Sequence, residues 1–356
     1  MRDQILGLLG KYLPGRLQST GPTNILTKCP FHKEGKETKP SFSVNVERGI
    51  FHCFTCHVSG DIQKFLKMMS ISDDTIEREL SVIKPALERN REQWLMQKKN
   101  SFAGRDPFKA DFALPEDLLG VYKYCPMKLV NDGFNPDLLQ ELGIGFDKNK
   151  NRILYPLRDM YGTLAGFSGG ATLEGQIPKY HVYQGRRKGV DGRWKPGDFG
   201  EWFDDQFPGF ICENHDFLWN FHRVMPKLIK QVNPVVYVVE GFKAAMWMIQ
   251  SGFEMTVALM GSYLSDRQLQ LLVRLGATVV LFLDNDAAGK KATANVGDLL
   301  WWPMYGRVMV VPYPKEDEDE NTQPDDYEHD AIQTLVSRAM DFRKYFNEQN
   351  RTKQWQ

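Results

Sequence analysis

Val235-Val236-Tyr237-Val238-Val239-Glu240-Gly241 and, further on, Thr278-Val279-Val280-Leu281-Phe282-Leu283-Asp284-Asn285-Asp286-Ala287-Ala288-Gly289 decide the fold of this chain. Each is an unbroken apolar run, rich in β-branched residues, that ends in an acid. Between them lie a helical pattern from Phe242 to Ser251, a strand-like piece from Met255 to Met260 and a second helix from Ser265 to Leu275. Continuous apolar strands alternating with helices predict a parallel sheet buried on both faces. Ligands of such sheets sit at the carboxyl ends of the strands, which brings Glu240, Asp284 and Asp286 to one edge. The D-x-D spacing puts two carboxylates on the same side of the chain, and an all-oxygen set suits divalent cations. One acid after a strand is as readily a helix cap or a turn residue. Three at one edge point to metal chemistry.

The 356 residues allow two or three domains with ample core. Hydrophobic content of 42% with 25% charged residues fits an ordinary globular chain and excludes a disordered one. No apolar run approaches the span of a membrane helix, and Met1-Arg2-Asp3 does not open a secretory signal. A cytoplasmic protein with no membrane partner is expected. Net charge is zero, but residues 1–110 carry 18 Lys and Arg against 12 Asp and Glu, a balance compatible with a polyanion. The five cysteines are uneven: three fall between 29 and 56, and Cys125 and Cys212 stand alone. That pattern argues for one metal site and against a disulfide framework.

Cys29-Pro30-Phe31-His32 and Cys53-Phe54-Thr55-Cys56-His57 bracket two strand-like segments, Ser41 to Val46 and Gly49 to Cys53. C-x2-H and C-x2-C at the ends of paired strands put four ligands around one point, the count zinc prefers for a structural site. The spacing favours Cys29, His32, Cys53 and Cys56, with His52 and His57 as competitors. A helix is expected from Ile5 to Tyr12, another from Ile62 to Met69, and a charged helix from 73 to 99 broken near Pro85. A tether follows from Asn100 to Phe112.

Two resemblances extend this. Glu240-Gly241 followed by Asp284-Asn285-Asp286-Ala287-Ala288-Gly289 resembles the TOPRIM module shared by DnaG-type primases, topoisomerases and some nucleases. Cys29-Pro30-Phe31-His32, Pro40-Ser41-Phe42-Ser43-Val44, Phe51-His52-Cys53-Phe54-Thr55-Cys56 and Gly60-Asp61-Ile62 resemble the N-terminal zinc-binding domain of DnaG-type DNA primases. Between them, Arg152 leading a strand into Pro156, the turn Asp159 to Gly162, Gly166-Phe167-Ser168-Gly169-Gly170 and Pro178-Lys179-Tyr180 resemble the N-terminal part of those primases' RNA polymerase domain.

The resemblance implies a multidomain α+β and α/β chain. A small zinc-ribbon domain (1–85) and a helical or flexible linker (86–112) precede a mixed α+β subdomain (113–232). A TOPRIM parallel-sheet core (233–315) and an acidic loop with a helical C-terminal tail (316–356), helical from His329 to Phe346, complete it. The activity implied is that of a nucleotidyltransferase, a DNA-directed RNA polymerase that joins ribonucleoside triphosphates into primers on single-stranded DNA. Catalytic Mg2+ or Mn2+ would be held by Glu240, Asp284, Asp286 and Asp325, the last in Gln323-Pro324-Asp325-Asp326, with Asp326 in reserve. Arg152, Lys179, Tyr180 and Lys290 would bind template or triphosphate, and zinc would be structural. Phe42, Phe51 or Phe54 would present the zinc domain to template bases, or form its core. A replicative helicase in trans and a monomeric isolated chain complete the expectation, for a short phage-like form that ends before a helicase-binding domain.

The chain departs from the family pattern at several places. Thr55 stands where a Gly is usual, Ala171 where an Arg follows Gly-Gly, and Val182 where an Asn follows Pro-Lys-Tyr. Ile211-Cys212-Glu213-Asn214 replaces a basic stretch, Ala244 an acid and Gln323 an acid. The basic loop Arg186 to Lys195 is a source of replacement contacts. The acids from Glu316 to Glu320 read as a solvated loop. The rival classes are a TOPRIM nuclease or topoisomerase-like enzyme, and a non-catalytic zinc-containing single-strand-binding recombination mediator. The order of the parts favours the primase.

Overall fold

The computed structural model describes every residue except 1, 14–15, 22, 33–36, 54, 57, 101–105, 107, 189–192, 208, 318–320 and 354–356, and only the backbone of 59, 94–95, 97–100 and 350–353. Phe54, His57, residues 33–36 between the first ligand pair and Pro40, part of the tether, the middle of the basic loop and three of the five consecutive acids lie outside the described residues. The chain divides into two compact units, residues 1–103 with 297–310 and 340–356, and residues 104–296 with 311–339.

The first unit is built on an antiparallel meander whose strands Gln18–Ser19, Asn24–Thr27, Phe42–Asn45, Ile50–Cys53 and Ser59–Asp61 follow one another in chain order. Alternation sets its faces: in Ile50–Cys53, Phe51 and Cys53 point into the core while Ile50 and His52 are half-buried. Phe42 pairs opposite Cys53 and Val44 opposite Phe51. Phe31, Phe42, Phe51 and Phe65 pack as one aromatic cluster with ring centroids 5.1 to 6.1 Å apart. Phe42 and Phe51 are therefore the core of the domain, not exposed base readers. Helix Ile62–Met68 is capped by Asp61, whose carboxylate accepts the Lys64 N–H.

The long helix Asp73–Asn100 runs unbroken through Pro85. The expected break is absent: Ile76, Ile83 and Ala86 are buried on its inner face, and this packing holds the turns on both sides of the proline. The tail also differs from a single helix. Helix His329–Ser337 stops, Met340–Asp341 pairs with Val310 and Met309, and Phe342–Lys353 resumes with Asp341 accepting the N–H of Arg343.

In the second unit, strands Gly145–Asp147, Arg152–Arg158, Leu164–Ala171 and Tyr180–Val182 form an antiparallel sheet in chain order. The parallel core places Val235–Val239 between Thr256–Ala258 and Thr278–Leu281, with Val235 opposite Thr278 and Val238 opposite Leu281. Val236, Val238, Val239, Val279, Val280 and Leu281 are buried, as the unbroken apolar runs require. The crossover helices are Phe242–Gln250 and Asp266–Leu275. The second begins at a Ser265–Gln268 capping box and ends at Gly276 in the left-handed region. The fold is the expected composite of zinc ribbon, mixed α+β subdomain and TOPRIM-like parallel sheet.

Candidate active site and zinc centre

In the first unit, the ligand atoms of Cys29, His32, Cys53 and Cys56 lie within 4.8 Å of one another. Cys29 Sγ is 3.7 Å from Cys56 Sγ, and His32 Nδ1 is 3.7 Å from Cys53 Sγ. Backbone N–H groups of Phe31, Thr55 and Cys56 point at the sulfurs of Cys29 and Cys53 at 3.4 Å. Thr55, which replaces a usual Gly, still delivers its N–H to Cys53. The set of three thiols and one imidazole fits tetrahedral zinc with no open position. His52 is not in the tetrad, because strand alternation puts it on the face opposite Cys53.

Glu37, which the sequence did not single out, organises this centre. Its Oε2 lies 2.9 Å from His32 Nε2, so that Nδ1 faces the cysteines. It also accepts the N–H of Cys29 at 2.6 Å, and the N–H and hydroxyl of Ser41 at 3.2 and 2.7 Å. Burial alone would raise its pKa. The donors of Ser41 and Cys29, with His32 nearby, hold it below the usual carboxylate value.

In the second unit, Glu240 at the end of Val235–Val239, Asp284 just past Thr278–Leu281 and Asp325 in the turn Pro324–Asp326 line one cleft of about 470 Å³. Lys179, Tyr180, Lys243, Ala171, Ala244, Gln323 and Asp326 share its walls. Glu240 Oε2, Asp284 Oδ1 and Asp325 Oδ1 are buried and have no hydrogen-bond partner. Burial first, then Glu240, Asp325 and Asp286, push the Asp284 pKa up to about 7. Burial and Asp286 raise Glu240, and burial raises Asp325 against the opposing pull of Lys243. Desolvated, mutually repelling carboxylates with orphaned oxygens have the chemistry a divalent cation takes, but among the described residues only the Cys-His set brings its ligand atoms within 4.8 Å of one another.

Asp286 does two things. Its charge bears on Glu240 and Asp284, and its Oδ1 accepts the Gly289 N–H at 2.6 Å at the start of helix Ala287–Trp301. The helix start packs so tightly on the strand end that a Cβ on Gly289 would lie 2.0 Å from the Asp284 carbonyl oxygen. Between the two acids, buried Asn285 donates its Nδ2–H to Asp317 O at 2.6 Å, and its N–H to Thr322 O at 2.9 Å. That ties the segment bearing Asp325 to the D-x-D turn. Met260, in the left-handed region at φ 61°, donates its N–H to Glu240 O at 2.8 Å at the cleft edge.

Not every expected residue reaches the cleft, and Asp286 is not among the residues that line it. Arg152 is buried, and its Nη1 donates to the carbonyls of Gly169 and Pro178 at 2.9 and 3.0 Å. It supports the backbone that presents Lys179 instead of standing over the cleft itself. Lys290 is exposed on helix Ala287–Trp301 and is not among the lining residues. Asp326 lines the cleft, but its Oδ2 accepts the Gln323 N–H at 2.7 Å. Burial, with Asp325 and Asp284 adding to it, pushes the Tyr180 hydroxyl up to about 12 and keeps it a neutral donor.

Comparison with known proteins gives the same two modules. Residues 2–85 match the CHC2 zinc finger family and residues 237–323 the Toprim-like family. The chain is 29% identical to a DNA primase of Deinococcus radiodurans, covering 95% of this chain and 59% of that protein. It is 27% identical to a DNA primase of Buchnera aphidicola, covering 97% and 61%. It thus spans about three fifths of these curated relatives. Among solved structures, the zinc-binding and RNA polymerase domains of the Aquifex aeolicus primase align over 95% of this chain and 83% of that one, at 20% identity and a TM-score of 0.48. The chain thus carries a region matching the CHC2 zinc finger family ahead of one matching the Toprim-like family, and is similar to DNA primases over nearly its whole length.

Proposed function

We propose that the chain is a DNA primase, a DNA-directed RNA polymerase that makes short RNA primers on single-stranded DNA from ribonucleoside triphosphates. The observation that carries this reading is the cleft itself, with three buried carboxylate oxygens lacking a partner and Lys179 and Lys243 on its walls. The relatives' names supply the reaction class.

Glu240, Asp284, Asp286 and Asp325 would hold Mg2+ or Mn2+, which, when bound, acidifies the attacking 3′-hydroxyl and offsets charge at the α-phosphorus. Lys179 and Lys243 place two ammonium groups where a triphosphate enters, as point charges on phosphate oxygens. Glu240, lifted by burial, is suited to take the hydroxyl proton. Tyr155 stacks on Phe242 at 4.2 Å, and this pair with Tyr180 makes an aromatic wall for the site. Arg152 keeps Lys179 in place by fixing Pro178.

The division of labour assigns zinc binding to 1–85, a linker to 86–112, and polymerase subdomains to 113–232, 233–315 and 316–356. The protein acts in the cytoplasm, as a monomer when isolated, with a replicative helicase as partner in trans. Among the described residues no helix is long and apolar enough to cross a membrane. Incubation of the chain with labelled ribonucleotides and random single-stranded DNA, beside supercoiled plasmid, tests the reading. Short oligoribonucleotides and intact plasmid support it. Nicked plasmid with no oligoribonucleotide, in Mg2+ or Mn2+, overturns it.

A further inference from the structure

Arg186 to Lys195 places five Arg and Lys against one Asp in ten residues. Its described part is a two-stranded antiparallel ribbon, Arg187–Lys188 against Trp194–Lys195. The pairing puts Arg187 directly opposite Lys195 and Lys188 opposite Trp194. Like charges facing each other across a ribbon repel, so the bare pairing works against itself. Trp194 is 59% exposed, and the Arg186 guanidinium lies 5.0 Å from its ring centroid.

The root of this ribbon is fixed at both ends by one buried carboxylate. Asp204 Oδ1 accepts the Arg186 N–H at 2.6 Å, and Oδ2 accepts the Gly197 N–H at 2.8 Å. Asp204 is 3% exposed, and a Cβ on Gly197 would lie 2.5 Å from its Oδ1. A buried carboxylate satisfied by charge-assisted hydrogen bonds from both ends of an exposed arm makes the root rigid. Phe199, Phe203 and Phe210 pack in the core beside it. The arm also begins close to the cleft in the chain, since Lys179 on the cleft wall precedes Arg186 by seven residues, at most about 25 Å of extended backbone.

We infer that the ribbon formed by Arg187–Lys188 and Trp194–Lys195 is a binding site for the single-stranded DNA template, in which Trp194 stacks on a base with Lys188 on the same face at the adjoining phosphate, while Arg187 and Lys195, on the other face, reach neighbouring phosphates around the ribbon's edge. A polyanion converts the Arg187–Lys195 repulsion into attraction, and an exposed indole beside basic groups is the combination that holds unpaired bases without reading their sequence. Duplex DNA, with its bases stacked away, offers the phosphates but no face for Trp194. The inference deepens the primase reading and rests on it for the identity of the strand as a template.

The test is the binding of a fluorescent oligothymidylate to the full chain across a salt series. Replacing Arg187, Lys188 and Lys195 together by Ala should weaken binding and reduce the slope of log affinity against log salt by about 2, at roughly 0.7 per lost single-strand phosphate contact. Trp194→Ala should weaken binding about fivefold or more with the slope unchanged, and leave duplex binding as it was. Both variants change exposed side chains, so wild-type melting temperatures are expected of each. Wild-type affinity and slope in both variants overturn the arm, whether or not the chain makes primers. Arm-dependent binding by a chain that makes no oligoribonucleotide keeps the arm as a single-strand site and overturns the primase reading.

Discussion

Lys243 Nζ lies 3.7 Å from Asp325 Oδ2 and 3.4 Å from Asp132 Oδ2, so a lysine stands among the acids of the cleft. The buried neighbour Ala244 occupies the place where the resemblance would put a further acid. Gln323, also on the cleft wall, stands where the resemblance would put another, so the site holds two carboxylates fewer than the resemblance implies, and a cation beside it. Lys243→Met should tighten Mn2+ binding about two- to fivefold, since a partly exposed pair is worth no more than about 1 kcal/mol. It should raise the KM for ribonucleotides at the same time. Manganese titration followed by electron paramagnetic resonance, together with initial rates, reads both; unchanged metal affinity removes Lys243 from the site's electrostatics.

Glu37 fixes the tautomer and direction of His32. Glu37→Gln keeps its shape and loses its charge, and zinc affinity should fall about 10- to 100-fold. Competition with a chromogenic chelator measures this. Wild-type zinc retention would mean that the hydrogen bonds of Ser41 and Cys29 do not depend on the carboxylate's charge.

The pH dependence of metal binding follows from Asp284. Its pKa is raised to about 7, while an unfolded aspartate titrates near about 3.9. Between those values the folded chain holds the extra proton, so the stability this group contributes is full at low pH and is lost as pH rises through the window. A divalent ion must displace that proton. Thermal stabilisation by Mg2+ or Mn2+ should grow as pH rises towards about 7 and level off above it. A metal-induced shift in Tm that is flat across the window would contradict the assignment of Asp284 as a ligand.

Gly289 is required by the close approach of the helix Ala287–Trp301 to the Asp284 carbonyl. Gly289→Ala forces the two apart and should cost about 1 to 3 kcal/mol in chemical denaturation, as overpacking does. Because Asp284 moves with the strand end, divalent affinity should fall as well. Loss of stability with unchanged metal affinity would separate the turn from the site.

The parts of this molecule that were readable in the sequence are those written in periodicity and spacing. The runs at Val235 and Thr278 admit only a doubly buried strand, and C-x2-H with C-x2-C leaves few ways to place four ligands. Asp286 carried both meanings at once, and the structure has it capping a helix while its charge acts on the cleft acids. Arg152 was misplaced because a strand residue's face depends on register, and its guanidinium turned to the backbone carbonyls of Gly169 and Pro178. Phe42 and Phe51 went to the core for the same reason, their alternation with half-buried neighbours. Glu37 and Asn285 were invisible because their roles consist of hydrogen bonds across loops, which leave no period. Pro85 misled because tertiary packing can hold a helix across a proline.

The central claim is that Asp284 and Glu240 serve synthesis on a single strand. The measurement is oligoribonucleotide formation by the wild-type chain, Asp284→Ala and Glu240→Ala, with zinc content determined on the same preparations. The account predicts short RNA products from the wild type, none above background from either variant, and equal zinc in all three. Primer synthesis retained by either variant at full zinc content would contradict it.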